Sequence, residues 1–419
     1  MRIMDLYKTP SKPSMVGWLI LASILLSLTL GCSIPSTGPQ KTLTPEVIEQ
    51  GVYGKSKKYL KDGVAVVYLT GTPYEIGLAH GKLCKKEIGE LNARFFNLFD
   101  RFAKDPHNRW IELSRQLEKN IPKEYIDEMR GISDGSSIEY NKILFINTLS
   151  TISMKDSCLA FAFQNSNSEI ITLRQDDEFK NTDFHRKMIL FIIKPEKGIG
   201  FAAIITPGWI DGETGINEKG ITVSQNNIGI KQKEWDVMPI TVLSRYMLQY
   251  SETINEIDRL LDEQHAYPGR LIFVSSRNGA SVFEFVNTEK ARINMKNGFL
   301  ALSNHARVIP SRRSGGSSVK RLSILEEFLT ENGDKMSIEK AIELVRTPYL
   351  SRDNFWDRLR VHNRQAYVFS PRTLNFWIAR PPSNNNKPAC YGSYIGFNLM
   401  QELYGSGQDP SPKFYPAHQ

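Results

Sequence analysis

Asp156-Ser157-Cys158-Leu159-Ala160-Phe161-Ala162-Phe163, a polar break over Asn165 to Ser168, and then Ile170-Ile171-Thr172-Leu173-Arg174-Gln175-Asp176-Asp177 is the stretch that decides how this chain folds. Short apolar runs with β-branched residues, parted by turn-forming residues, predict two strands joined as a hairpin. In an antiparallel pair the start of the first strand lies beside the end of the second. The hairpin therefore brings Cys158 to Arg174 and the two aspartates. The thiolate, not the thiol, is the nucleophilic form of cysteine, and cationic or hydrogen-bonding neighbours favour it. Cys158 is accordingly the candidate nucleophile.

Outward from that hairpin the chain alternates in blocks. Val64 to Val67 predicts a strand, and Pro73 opens a helix whose apolar face runs through Ile76, Leu83, Ile88, Leu91, Phe95, Leu98 and Phe102. Gly77 and Gly81 on it suit close approach to a sheet, and His80 reads as a packing residue. A second helical region covers Asn108 to Arg130. Gly131-Ile132-Ser133-Asp134-Gly135 satisfies the G-x-S-x-G pattern, which exposes a serine only on a strand-to-helix turn. Here a helical stretch leads into it, so the glycines read as a helix C-cap and loop.

Beyond Asp177, strand pairs turn at Pro195 to Gly198, Glu218-Lys219-Gly220, Asn278-Gly279 and Pro371-Arg372, with a further turn at Asn297-Gly298. Helices are expected over Pro239 to Tyr250, Thr253 to Gln264, Val319 to Leu329 and Ile338 to Arg346. Strands and helices in blocks, without β-α alternation, predict an α+β fold with antiparallel sheets.

The 419 residues carry a net charge of +8, spread without a run of like charges, which gives nucleic-acid binding no support. Basic residues precede an apolar run from Met15 to Leu30 that falls short of a membrane span. Gly31-Cys32 follows, resembling a lipobox, so residues 1–32 are read as a lipoprotein-type signal with Cys32 lipidated. Residues 33–58 are read as a flexible tether and 59–419 as one domain. That organisation predicts an exported protein of the bacterial cell envelope, held to the membrane by its lipid. Of the remaining cysteines, Cys84 and Cys390 read as buried apolar residues. No CxxC or HExxH spacing occurs, so no metal or cofactor is expected.

Cys158, Arg174 and Asp177 together resemble the N-terminal-nucleophile (Ntn) hydrolases of the choloylglycine hydrolase and acyl-coenzyme A:isopenicillin N acyltransferase kind. Thr72-Pro73-Tyr74-Glu75-Ile76-Gly77-Leu78-Ala79-His80-Gly81 and Gly215-Ile216-Asn217-Glu218-Lys219-Gly220-Ile221 resemble further signatures of the acyltransferase branch. The likeness runs from Val64 to Ala379. It implies a four-layer αββα sandwich, autocatalytic cleavage between Ser157 and Cys158, and a cysteine whose own α-amine is its base. Ser157 departs from the glycine often found there. The resemblance also implies roles: Arg174 holding the thiolate, Asp177 (or Asp176) bonding the new amine, and Asn226 (or Asn227) helping form the oxyanion hole. It places Asn304, in Ser303-Asn304-His305, near the amine, and has Arg321 complete the site, with His305 a structural neighbour. The expected activity is hydrolysis of a linear amide, or acyl transfer, through a cysteine thioester on a small-molecule substrate. Hydrolysis is preferred, since an exported enzyme has no evident acyl-coenzyme A supply. A catalytically silent surface lipoprotein that keeps the fold for ligand binding is the alternative.

Overall fold

The computed structural model describes residues 50–91, 93, 106–152, 157–179, 189–230, 235–264, 269–310, 316–354, 361–382, 387–405 and 412–418. The chain divides into Met1–Val47 and Ile48–Gln419, and every described residue lies in the second unit. The leader, Cys32, Asp156 and the helix positions Phe95, Leu98 and Phe102 lie outside the described residues.

Strands β1 (Gly51–Tyr53), β2 (Ser56–Lys61) and β3 (Val64–Gly71) come first, followed by helices α1 (Pro73–Leu83), α2 (Pro106–Glu118), α3 (Lys123–Ser136) and α4 (Tyr140–Ile152). The hairpin β4 (Leu159–Gln164) and β5 (Ile170–Phe179) is next, then β6 (Ile189–Pro195), β7 (Phe201–Ile205), β8 (Thr214–Asn217) and β9 (Thr222–Asn227). Helices α5 (Ile240–Tyr250) and α6 (Ile254–Asp262) lead into β10 (Arg270–Ser276), β11 (Gly279–Val286), β12 (Glu289–Asn294) and β13 (Phe299–Leu302). The chain then runs through α7 (Gly316–Asn332), α8 (Ile338–Val345), β14 (Val361–Ser370), β15 (Asn375–Arg380), β16 (Ser393–Asn398) and α9 (Leu399–Tyr404).

Two sheets result. One is ten-stranded, in the order β1-β2-β3-β6-β7-β8-β9-β10-β11-β12; the other is six-stranded, in the order β13-β4-β5-β14-β15-β16. Their pairing is antiparallel except for β3 with β6, which run parallel because the helical block and the β4–β5 hairpin intervene between them. The turn at Asn297-Gly298 carries positive φ at both residues, as a tight hairpin turn requires. It delivers the chain from the larger sheet to the smaller.

Side-chain alternation sorts the core into three apolar layers. Val67, Phe191, Ala203 and Val223 face helices through Ile76, Met129, Leu144 and Leu243. Val66, Leu190, Ile192 and Ile204 face the other way, onto Tyr367, Phe369, Phe376 and Phe397 of the smaller sheet. The far side of that sheet packs Phe161, Leu173 and Val368 against Leu322, Leu325 and Val345 of α7 and α8. Helix, sheet, sheet, helix is therefore the order of layers, the αββα sandwich expected.

Four expectations are corrected. Strands begin at Gly51, inside the stretch read as tether: the lysine-rich β2 is paired on both sides, between β1 and β3, with Lys58 buried and its ammonium 2.5 Å from Glu87. The region read as one helix over Asn108 to Arg130 is two helices, α2 and α3, with Pro122 as the N-cap of the second. Gly77 and Gly81 approach a helix rather than a sheet. A Cβ at Gly77 would stand 1.9 Å from the Glu128 carbonyl oxygen, and one at Gly135 2.4 Å from that of Leu78. Gly131 and Gly135 thus lie within α3, whose C-cap is Ser137 in the left-handed conformation. Ser133 donates its hydroxyl to the Ile138 carbonyl, so no nucleophile elbow forms.

Candidate active site

β4 and β5 pair with Leu159 opposite Gln175 and Ala160 opposite Arg174. The Ser157 N–H extends the ladder by donating to the Asp177 carbonyl at 3.1 Å. Cys158 therefore stands at the head of β4, buried, with alternation assigning it to the face that looks toward the larger sheet. Arg174 and Asp176 share that face. Ser157 and Asp177 fall on the other, toward α7.

On the inner face the fully buried Arg174 guanidinium grips Asp176 through Nε at 2.7 Å and Nη2 at 2.6 Å. Its Nη1 donates to the Asn226 side-chain oxygen, and Nη2 lies 3.4 Å from Glu213. Asn226, on β9, in turn donates Nδ2 to the Ser303 carbonyl at 2.8 Å. One of its two amide hydrogens is so used. Asn227 points away by alternation and accepts from the Gly229 N–H at 2.5 Å, which separates the two asparagines.

On the outer face Asp177 accepts from Arg352 Nε at 2.8 Å and from Asn363 Nδ2 at 3.0 Å, with Arg321 Nη1 at 3.6 Å. Arg321 donates to the Cys158 carbonyl at 3.0 Å and to Asn304 Oδ1 at 2.9 Å. Asn304 passes the connection on, donating to the Asn227 carbonyl at 2.9 Å. Arg352 also donates to Ser317 at 3.0 Å and to the Ser157 hydroxyl. Ionised groups this deeply buried are tolerable only when paired and hydrogen-bonded. Each of these arginines has a carboxylate within reach.

Every proposed site residue on the described chain thus meets in one network at the mouth of the β4–β5 hairpin. Asp176, set second to Asp177, is the main partner of Arg174. Arg352, Glu213 and Asn363 were not singled out by sequence, since each reaches the site from a loop or distant strand without a local motif. His305 bonds Ser318 at 2.8 Å, and burial, with Arg307 nearby, lowers its pKa. Cys390 lies behind Asp177, where burial foremost and that carboxylate next push its thiol well up. Cys84 is pushed up to about 12 by burial. Both are buried free thiols in different apolar clusters.

A family model described as acyl-coenzyme A:6-aminopenicillanic acid acyl-transferase matches residues 164–369. The match begins just after Cys158 and contains Arg174, Asp177, Asn226, Asn304, Arg321 and Arg352. Protein dcd1A of Dictyostelium discoideum is 26% identical over 265 residues, 52% of this chain and 58% of that protein. An uncharacterized protein of Archaeoglobus fulgidus is 22% identical over 56% of this chain and 44% of its own. The chain so spans about half the length of these relatives. The acyl-coenzyme A:6-aminopenicillanic-acid-acyltransferase 40 kDa form of Emericella nidulans is 22% identical over 63% of this chain and 74% of its own.

Among solved structures, a Caenorhabditis elegans N-acylethanolamine-hydrolyzing acid amidase ortholog aligns with a TM-score of 0.41 at 16% identity, over 51% of this chain and 93% of its own. A variant of the conjugated bile acid hydrolase of Clostridium perfringens aligns with a TM-score of 0.44 at 9% identity, over 62% and 98%. Through its matched central region the chain is similar to the acyl-coenzyme A:6-aminopenicillanic acid acyl-transferases.

Proposed function

We propose that this chain is a self-processing cysteine amidohydrolase that cleaves linear amides through a thioester on Cys158. The observation that supports this most is the position of the Ser157-Cys158 peptide, continuing the β5 ladder into a cluster of three buried guanidinium groups and two aspartates. In the processing step the Cys158 sulfur attacks the Ser157 carbonyl carbon. The C–N bond breaks, the thiol proton passes to the departing nitrogen, and a thioester forms. Water then adds, the C–S bond breaks, and a Ser157 carboxylate, a thiol and a free α-amine remain.

That amine is a suitable base. An α-amine titrates at about 7.7 to 8.0 and a cysteine near 8.5, so the proton moves at small cost, and a base on the nucleophile's own residue needs no separate positioning. In turnover the amine takes the thiol proton and the sulfur attacks the substrate carbonyl. The developing oxyanion is met by the Asn226 amide, and the leaving amine receives the proton. Water hydrolyses the thioester. Asp177, on the amine side, and Arg174, on the sulfur side, hold the charges of the pair, and Arg321 with Asn304 fixes the Cys158 carbonyl. A neutral amide donor stabilises the oxyanion without quenching the thiolate.

An amine in place of water would give acyl transfer through the same thioester, the reaction named for the Emericella relative. Anchoring through a lipidated Cys32 at the bacterial cell envelope, without acyl-coenzyme A, favours water. A denaturing mass measurement during turnover of a linear acyl amide tests the reading: an acyl increment on Cys158 is expected, and it should vanish in Cys158→Ala. An active enzyme carrying no adduct on Cys158, or a Cys158→Ala variant of undiminished turnover, would overturn it. A wild-type protein inert toward amides yet binding them would favour a silent lipoprotein.

A further inference from the structure

Arg352 is one of the residues at this site that no motif announces, and three observations converge on it. Its backbone adopts φ +62°, the left-handed region that a non-glycine side chain rarely occupies unless its surroundings hold it there. Its guanidinium is buried and fully directed: Nε to Asp177, Nη1 to Ser317, Nη2 to the Ser157 hydroxyl. Its target Ser157 is the residue on the amino side of the proposed cut. Arg321 reaches the same hydroxyl at 3.4 Å while donating to the Cys158 carbonyl at 3.0 Å.

We propose that Arg352 is a positioning residue for self-cleavage, acting through the Ser157 hydroxyl to fix the scissile carbonyl in front of the Cys158 sulfur. The inference rests on the self-processing reading above. The Ser157 backbone is tied to Asp177 on one side and its side chain to Arg352 on the other, so rotation about its main-chain bonds is restricted from both. Arg321 then holds the carbonyl of the next residue. The scissile unit is bracketed at three points, which aligns the attack in advance. A glycine at 157 would offer no hydroxyl to this grip; the serine here and the strained arginine form a matched pair.

Lysine keeps the positive charge for Asp177 but lacks the planar fork that spans Asp177, Ser317 and Ser157 together. A pulse-labelled full-length chain made by cell-free synthesis, followed by the appearance of the fragment beginning at Cys158, measures the step. Misplacement of reacting atoms by about 1 Å costs about 100-fold, so Ser157→Ala and Arg352→Lys are each expected to slow cleavage between about 10- and 100-fold. Ser157→Thr, which retains the hydroxyl, should restore cleavage to within a few-fold of wild type.

In a Ser157→Ala background, Arg352→Lys should add almost nothing. A purely structural arginine would slow both backgrounds equally, and that result, or wild-type cleavage by Ser157→Ala, would overturn the proposal while leaving self-processing intact. Should Arg352→Lys fail to fold, the comparison of Ala with Thr at 157 decides alone. A folded wild-type chain that never cleaves, yet turns over amides, would remove the self-processing reading and this inference with it.

Discussion

Cys158, Asn226 and Asp177 separate the three tasks of the proposed chemistry, and substitution distinguishes them. Cys158→Ala should remain a single chain without turnover, whereas Cys84→Ala should process normally, since burial holds that thiol protonated far from the network. Asn226→Leu should process slowly and lose about 100- to 1000-fold in kcat, the usual cost of one oxyanion donor, as read by steady-state kinetics on processed protein. Asp177→Asn leaves Arg352 and Arg321 without their shared carboxylate, and about 3 to 5 kcal/mol of stability is expected to go, as breaking one side of a buried pair does.

Cys158, Arg174 and Asp177 were legible because they sit on one hairpin, where strand pairing converts sequence spacing into proximity. Arg352 and Glu213 were not. They arrive from loops between distant elements, and no local pattern encodes that meeting. Asp176 and Asp177 take different partners for a simple reason: adjacent residues on a strand face opposite ways. The outer one meets Arg352, and the inner one Arg174.

The contact of α1 with α3 shows how an element-scale feature can imitate a catalytic motif. Gly77 and Gly81 on one helix meet Gly131 and Gly135 on the other, and the backbones approach where any Cβ would collide. The G-x-S-x-G pattern is thereby a packing surface. Ser133→Ala should process and turn over substrate as wild type does. Gly77→Ala should instead lower stability in urea unfolding by about 3 kcal/mol, because a methyl 1.9 Å from a carbonyl oxygen forces the helices apart. The hairpins were readable from their turn residues. The helix-on-helix approach was not, since a glycine in a helix indicates close packing without naming its partner, and strand β2 was hidden by lysines that composition alone assigns to a tether.

Across the whole molecule, the helical layer against the larger sheet carries its own acid sensitivity. His80 accepts the Gly208 N–H at 2.9 Å and lies against Phe191 with the two rings tilted by 52°. Burial foremost, then Arg245 and Lys58, lowers its pKa from 6.5 to about 3. The unfolded chain takes up that proton near pH 6.5 and the folded chain does not. Stability is therefore full above that pH and falls as pH drops from about 6.5 toward about 3, by up to about 1.4 kcal/mol per unit. His80→Gln, which keeps an acceptor but does not titrate, should flatten this limb of a stability-against-pH curve.

The α+β class followed from the blockwise pattern of strands and helices, and the order of layers from the family resemblance. The parallel β3–β6 pairing did not, since it depends on a connection that leaves the sheet and returns. The most direct test of the proposed chemistry is the intact mass, with N-terminal sequencing, of wild-type protein that turns over a linear amide. Two chains are expected, the second running from Cys158 to Gln419. A single active chain with Cys158 still joined to Ser157 would contradict the central claim that the nucleophile uses its own freed amine as base.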